Sequence, residues 1–351
     1  MDTYDHVKEY YGKILTSTSS LKTSACTMSN RPPDIILDIM KKIPSEIKNK
    51  YYGCGTTIPM GIEGLTILDL GSGSGQDCYI ASSLVGENGK VIGVDMTQEQ
   101  LEVANNHIET YTNILGYKKP NMEFKKGYIE CLDKLNIPNN SVDIVVSNCV
   151  VNLSPDKSKV ISGVYNLLKE GGSFYFSDVY CDRRLDNTVK NHKVLWGECI
   201  AGALYIEDFK RLCNNIGFIE VREVERSIIE ITDPVLKNIV GNAQFYSITY
   251  NLFKLSDLET LCEDYGQYAI YKGTIPTKEH YYDLDNHHKL ITNKPMLVCG
   301  NTADMLSKTW LSKHFDVYGN KSVHYGLFDS CNSLLDKNNT INTINKTGSC
   351  C

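Results

Sequence analysis

The sequence of 351 residues has no surplus of positive charge: 36 Lys and Arg stand against 42 Asp and Glu, for a net charge of −6. No basic stripe breaks that balance, so a phosphate backbone would find no electrostatic footprint and nucleic acid is not an expected partner. Long apolar runs are missing as well. No stretch approaches the ~18 apolar residues of a membrane span. The first 25 residues are polar and lack the apolar centre of a secretory signal. No membrane contact is expected, and the reading is of a cytoplasmic monomer. Nor is any Cys-x-x-Cys pair followed by a second one, or by a His-x-x-x-His pair, which argues against a structural zinc site.

Cysteine itself is abundant, with thirteen in the chain. In a small secreted protein that would read as a disulfide framework. This chain is large, has no signal, and carries an odd number. Cys78, Cys131, Cys213 and Cys299 read as small buried hydrophobes. Four others stand in more telling places. Cys26 follows Ser24-Ala25, and Cys54 lies in the turn Tyr51-Tyr52-Gly53-Cys54-Gly55. Cys149 ends the apolar run Val142–Asn148, and Cys199 stands within Trp196-Gly197-Glu198-Cys199-Ile200-Ala201-Gly202. A thiolate is a soft nucleophile and a soft ligand. Several of them converging on one pocket would suit a thiophilic substrate better than an amine or a hydroxyl.

With 42% hydrophobic and 22% charged residues, the composition is that of an ordinary globular chain, long enough for two domains. Residues 1–50 form a lead-in that carries Cys26 and, from Pro33 to Lys48, an amphipathic helix with Ile35, Ile36, Ile39 and Met40 at helical spacing. Strands are then expected at Thr66–Leu70, Lys90–Asp95, Asn121–Lys126, Val142–Asn148 and Gly172–Asp178. Helices are expected between them at Gln76–Leu84, Thr97–Leu115 and Asp156–Leu168. Such alternation implies an α/β domain over 51–200, with a mostly parallel sheet covered on both faces. The pattern loosens beyond residue 200. Residues 201–331, with strand-like runs such as Phe245–Leu255, read as an appended α+β domain. Residues 332–351, rich in Asn, Thr, Lys and Ser, read as a disordered tail ending in Cys350-Cys351.

The strongest single motif is Ile67-Leu68-Asp69-Leu70-Gly71-Ser72-Gly73-Ser74-Gly75: an apolar strand, a glycine loop, then a helix. Glycine is required where backbone closes on a ligand or φ turns positive. The spacing is GxGxG rather than the GxGxxG of dinucleotide binders. A second acidic mark, Asp95, closes the next strand 24 positions after Gly71, where a carboxylate can accept both hydroxyls of a ribose. Together these resemble class I S-adenosylmethionine-dependent methyltransferases, with their Rossmann-like fold. The resemblance implies that Asp69, Gly71, Ser72, Gly73 and Gly75 line the cofactor. It also implies that Asp95 binds the ribose, that Met96, Ile129 and Glu130 lie around the adenine, and that Asn148 sits beside the methionine moiety.

A narrower resemblance rests on the cysteine blocks around Cys54, Cys149 and Cys199, extended by Tyr271-Lys272-Gly273-Thr274, Cys299-Gly300-Asn301-Thr302-Ala303 and His324-Tyr325-Gly326-Leu327-Phe328. Over roughly residues 4–331 the chain resembles the arsenite S-adenosylmethionine methyltransferases. That family implies Cys149 and Cys199 as ligands of trivalent arsenic, joined by Cys54, with Cys54 and Cys26 as a relay pair. It also implies a thiol reductant such as glutathione or thioredoxin. Cys331, Cys350 and Cys351 resemble terminal clusters in some members, where they would capture metalloid. Two rival readings are a quinone- or sterol-type carbon or oxygen methyltransferase, which has no use for Cys54, Cys149 and Cys199 together, and a non-catalytic metalloid-binding protein, which has no use for an intact cofactor loop.

Overall fold

A computed structural model describes residues 32–50 and 57–328. Five parallel strands form the heart of the molecule: β1 (Thr66–Leu70), β2 (Lys90–Asp95), β3 (Met122–Lys126), β4 (Val142–Asn148) and β5 (Leu168–Cys181). β1, β2, β4 and β5 are largely buried on both faces, as inner strands of a parallel sheet must be, while β3 at the edge is only partly buried. Ile67, Ile144 and Val146 pack on one side with Cys78 and Tyr79. Leu68, Leu70 and Val145 pack on the other with Val160, Ile161 and Val164 of the helix Lys157–Leu167. Asp156 caps that helix by accepting from the backbone of Lys159.

The short strand β6 (Leu204–Tyr205) pairs with β5, and two longer ones follow, β7 (Arg222–Ile229) and β8 (Phe245–Phe253). The order across the eight-stranded sheet is β3-β2-β1-β4-β5-β8-β7, with β6 attached to β5. β8 runs antiparallel to β5 from Ser173↔Phe253 to Cys181↔Phe245. The main sheet therefore crosses the expected boundary at residue 201, and Phe245–Phe253 belongs to it rather than to the appended part. Apolar patterning announces a strand without naming its neighbour. Here β5 is much longer than the expected Gly172–Asp178, and its far edge needs a partner.

The appended α+β part begins beyond β8. It contains an antiparallel sheet of Pro295–Val298, Gln267–Tyr271 and Phe315–Tyr318, and the helix Gly300–Lys308. Several polar ties join it to the main sheet. Arg222 of β7 donates to Asp285 at 2.7 Å and to Thr302 at 2.9 Å, and the Trp310 indole donates to Ser173 of β5 at 3.1 Å. Among the described residues no helix is long and apolar enough to cross a membrane.

Two expected helices are interrupted. The one over Pro33–Lys48 becomes Asp34–Lys42 and Ser45–Asn49, because Pro44 removes a donor and holds Ile43 extended. The one over Thr97–Leu115 breaks at His107, after the weak helix formers Asn105 and Asn106. Cys78, Cys213 and Cys299 are fully buried as expected, whereas Cys131 is only half-buried.

Candidate active site

The sheet reverses its winding between β1 and β4, and ligands in such folds lie outside the carboxyl ends of the strands at that point. Leu70 pairs with Ser147 there, which places Gly71 beside Asn148 and Cys149. The glycine loop takes the conformation its residues allow. Gly71, Gly73 and Gly75 have φ of +71°, +52° and +93°. A Cβ on Gly71 would meet the methyls of Val150 at 2.5 Å, so the loop packs directly on the turn that starts with Cys149. A Cβ on Gly75 would meet Phe124 at 2.8 Å. Beside Gly73 the space is open, which leaves its backbone accessible to a ligand.

Asp95, at the end of β2, accepts from the Gly73 N–H at 2.9 Å and from the Thr97 N–H at 2.7 Å. Burial raises its carboxyl above the ordinary range, and those backbone donors oppose the shift. Asp69 is buried under the loop and accepts from the Cys78 thiol at 3.3 Å. Burial, with Asp77 close by, pushes its carboxyl up to about 8. Asp69, Asp77 and Asp95 thus crowd negative charge beneath the glycine loop, an arrangement that a cationic ligand would relieve. The Ser72 hydroxyl is buried in the same loop with no hydrogen-bond partner. Half-buried Met96 follows β2, and Ile129 and Glu130 open the short helix after β3. A buried hydroxyl in the loop, an open glycine and acidic side chains crowded beneath it together fit a ligand carrying hydroxyl, ammonium and sulfonium groups.

The thiol side lies next to it. Cys149 and Cys199 both have left-handed backbone, with φ of +56° and +62°. Other non-glycine residues in that region include Asn136, Asn140 and Asn293, of a type that tolerates it; cysteine does so at a cost of about 1–2 kcal/mol. Strain of this kind gathers at working sites. Both cysteines are buried, and the Cys199 thiol donates to the Cys149 carbonyl at 3.3 Å. Gly202 seals the approach of the two segments: a Cβ there would lie 2.1 Å from the Asn152 carbonyl oxygen. Cys149 stands in a disulfide, while the seven other described cysteines carry thiols. Cys26 and Cys54 fall outside the described residues, as do Cys331, Cys350 and Cys351. Among the described residues no three His, Cys, Asp or Glu converge to hold a metal ion.

Two residues gain importance beyond their sequence reading. Asp178, at the end of the expected strand Gly172–Asp178, is buried and accepts from the backbone N–H groups of Asn152 and Val179, which fixes the turn after Cys149. Burial pushes its carboxyl up to about 7. Lys157 was not anticipated. It opens a helix, where the dipole disfavours a cation, and that mismatch is the signal in the sequence that could have found it.

Comparison with known proteins agrees with this fold. A family model described as a methyltransferase domain matches residues 62–217. The arsenite methyltransferase of Aquipseudomonas alcaligenes is 47% identical over 348 residues, 99% of this chain and 100% of its own length. The human arsenite methyltransferase is 45% identical over 312 residues, 88% of this chain and 82% of its own. The crystal structure of an arsenic (III) S-adenosylmethionine methyltransferase from Chlamydomonas reinhardtii superimposes with a TM-score of 0.83 at 54% identity, covering 85% of this chain and all of that one. Alike in fold and in sequence along nearly its whole length, the chain belongs to the arsenite methyltransferases.

Proposed function

We propose that this chain methylates arsenite and methylarsenite for detoxification, with S-adenosylmethionine as methyl donor and cysteine thiolates as the arsenic ligands. The observation that carries the reading is the meeting of Cys199 with Cys149 at 3.3 Å on the turn packed against the glycine loop. When bound, S-adenosylmethionine supplies an electrophilic sulfonium methyl. Asp95, oriented by the Gly73 N–H, holds the ribose, the Ser72 hydroxyl takes a polar group above the loop, and Asp69 meets positive charge from below. Met96, Ile129 and Glu130 border the adenine, and Asn148 the methionine moiety.

Trivalent arsenic is thiophilic and retains a lone pair. Cys149 and Cys199, with Cys54 as third ligand, replace its hydroxyls and aim the lone pair at the methyl. Positioning accounts for most of the acceleration, and no general base is required because the nucleophile has no proton to lose. Methyl transfer formally oxidises arsenic by two electrons. Two cysteine thiols return them, becoming a disulfide while arsenic becomes trivalent again. An external thiol, such as glutathione or thioredoxin in a reducing cytoplasm, then resets the pair through Cys54 and Cys26. The disulfide at Cys149 supports such a cycle.

Purified protein given arsenite, S-adenosylmethionine and a thiol should yield methylarsenicals, separable by chromatography with elemental detection. Absence of such products, with methyl transfer to a quinol or sterol instead, would overturn the reading. Cys26→Ser or Cys54→Ser should spare at least part of the methylation of an already monomethylated substrate.

A further inference from the structure

Asn152, three residues after Cys149, is buried and bonds in several directions. Its backbone N–H donates to Asp178 at 2.9 Å and its side-chain amide donates to the Val179 carbonyl, so two bonds fasten it near the end of β5. Its own carbonyl oxygen accepts from the Lys157 ammonium at 3.1 Å, and that ammonium also donates to the Ser154 carbonyl at 3.0 Å. The same Asn152 carbonyl meets Gly202. Gly202 lies outside the left-handed region, so its φ does not call for glycine. Close approach does: a Cβ there would run into the Asn152 carbonyl oxygen.

Both turns are stiff enough to carry that contact to the sulfurs. The Cys149 N–H donates to the Ser177 carbonyl at 2.9 Å, and the Leu153 N–H to the Val150 carbonyl at 3.0 Å. On the facing turn the Cys199 N–H donates to the Trp196 carbonyl at 3.0 Å. The N–H groups of Ile200 and Ala201 both reach the Leu195 carbonyl at 2.9 Å, and that of Ala203 reaches Ile200 at 3.1 Å. A shift at position 152 or 202 therefore moves a whole turn together with its thiol.

We propose that Asn152 is a positioning residue of the thiol site: fastened to β5 and abutted by Gly202, it sets the spacing at which Cys149 and Cys199 close on one arsenic atom. The inference rests on the reading of those two cysteines as arsenic ligands. Capture by two thiols is a chelation. Once the first sulfur–arsenic bond has formed, the second thiol arrives at an effective concentration fixed by the spacing of the two turns. A misplacement of about 1 Å costs on the order of 100-fold in such a step.

The test measures chelation alone, with no methyl donor present and phenylarsine oxide as the probe. Its hydrate takes two thiols: two sulfur–arsenic bonds form, two arsenic–oxygen bonds break, and the thiol protons leave with the hydroxides as water. Nothing is oxidised. The full chain carries Cys26→Ser and Cys54→Ser, so that Cys149 and Cys199 must serve as the pair, and it is reduced with excess thiol and desalted. Protection of these two cysteines from iodoacetamide, read peptide by peptide by mass spectrometry as the probe is titrated, gives the dissociation constant. The parent should protect both together. Asn152→Asp keeps the shape but turns an oxygen toward the Val179 carbonyl, and Gly202→Ala inserts a methyl from the opposite turn. Each should raise the dissociation constant about 10- to 100-fold. Combined, they should cost less than the product of the two, because both act at one contact.

Alkylation without the probe separates positioning from mere support of the fold. Cys78 and Cys213 are buried elsewhere in the molecule. A general loosening would speed their reaction in the variants, whereas positioning leaves it within about twofold of the parent. The inference is overturned if the folded variants chelate the probe as tightly as the parent, or if chelation weakens only in step with faster alkylation of Cys78 and Cys213. Should Asn152→Asp fail to fold, Gly202→Ala decides the matter from the facing turn. If the parent never protects Cys149 and Cys199 together, the ligand assignment fails first and the role of Asn152 falls with it.

Discussion

The acids beneath the glycine loop bond to residues of their own strand, loop and helix or of the strand alongside. Asp69 meets Cys78, Gly73 meets Asp95, and Asp95 reaches Thr97. The thiol side is assembled differently. Cys149 and Cys199 come from turns separated by 50 positions, both in strained backbone, and they are held by Asp178, Gly202 and Lys157. A donor site can be encoded in a local motif because a strand, a tight turn and a helix already have the required shape. A three-coordinate soft ion needs thiols from several directions, so its site must be gathered from distant segments.

The sharpest test of this contrast is on the thiol side. Cys149→Ser and Cys199→Ser each replace a soft ligand by a hard one, and methylarsenical production should fall at least about 100-fold. Binding of S-adenosylmethionine, measured by calorimetry, should stay within about threefold of the parent, since the two sides are built independently.

Asp95→Asn should do the opposite. Losing charge-assisted hydrogen bonds worth about 1.5–3 kcal/mol raises the dissociation constant of the donor roughly 10- to 100-fold, with arsenite capture unchanged. Gly71→Ala tests a place where the two sides touch. It forces an alanine into left-handed backbone and drives its methyl into Val150, so it should destabilise the fold by about 1–3 kcal/mol and weaken both donor binding and thiol capture. A loss confined to one side would show that the loop and the Cys149 turn are less coupled than their packing implies.

The smallest expected effect is a protonation change. Asp69 has its folded pKa raised from 3.8 to about 8, so at pH 7 it is mostly protonated in the folded protein and ionised in the unfolded chain. Its contribution therefore makes the protein less stable as pH rises from about 4 to about 8, and Asp69→Asn should flatten that part of the melting profile. Bringing a cation over the loop lowers this pKa, so donor binding at pH 7 should release up to about one proton. Calorimetry in buffers of different ionisation enthalpy measures that release, and it should vanish near pH 9.

Much of the sheet around the glycine loop was legible beforehand. The expected strands Thr66–Leu70, Lys90–Asp95 and Val142–Asn148 match β1, β2 and β4 residue for residue, because each apolar run stops at a glycine, an acid or an asparagine. The neighbours of Phe245–Phe253 were not legible, because strand pairing depends on which edge is left open rather than on the strand itself. The role of Asp178 was also hidden: its neighbours in sequence say nothing of Asn152, whose N–H it accepts. Lys157 left only a trace, a cation at the wrong end of a helix.

By itself the sequence determined the parallel core, the glycine loop and the acids beneath it, since these follow from local periodicity and from the φ angles that only glycine takes freely. It also determined the family, through cysteines set in distinctive blocks. Only the tertiary structure decided that the Cys199 thiol reaches the Cys149 carbonyl, that Gly71 rests on Val150, and that Lys157 turns back to bind the Cys149 turn. Such contacts arise from strand order and close packing, and no short window of residues specifies either.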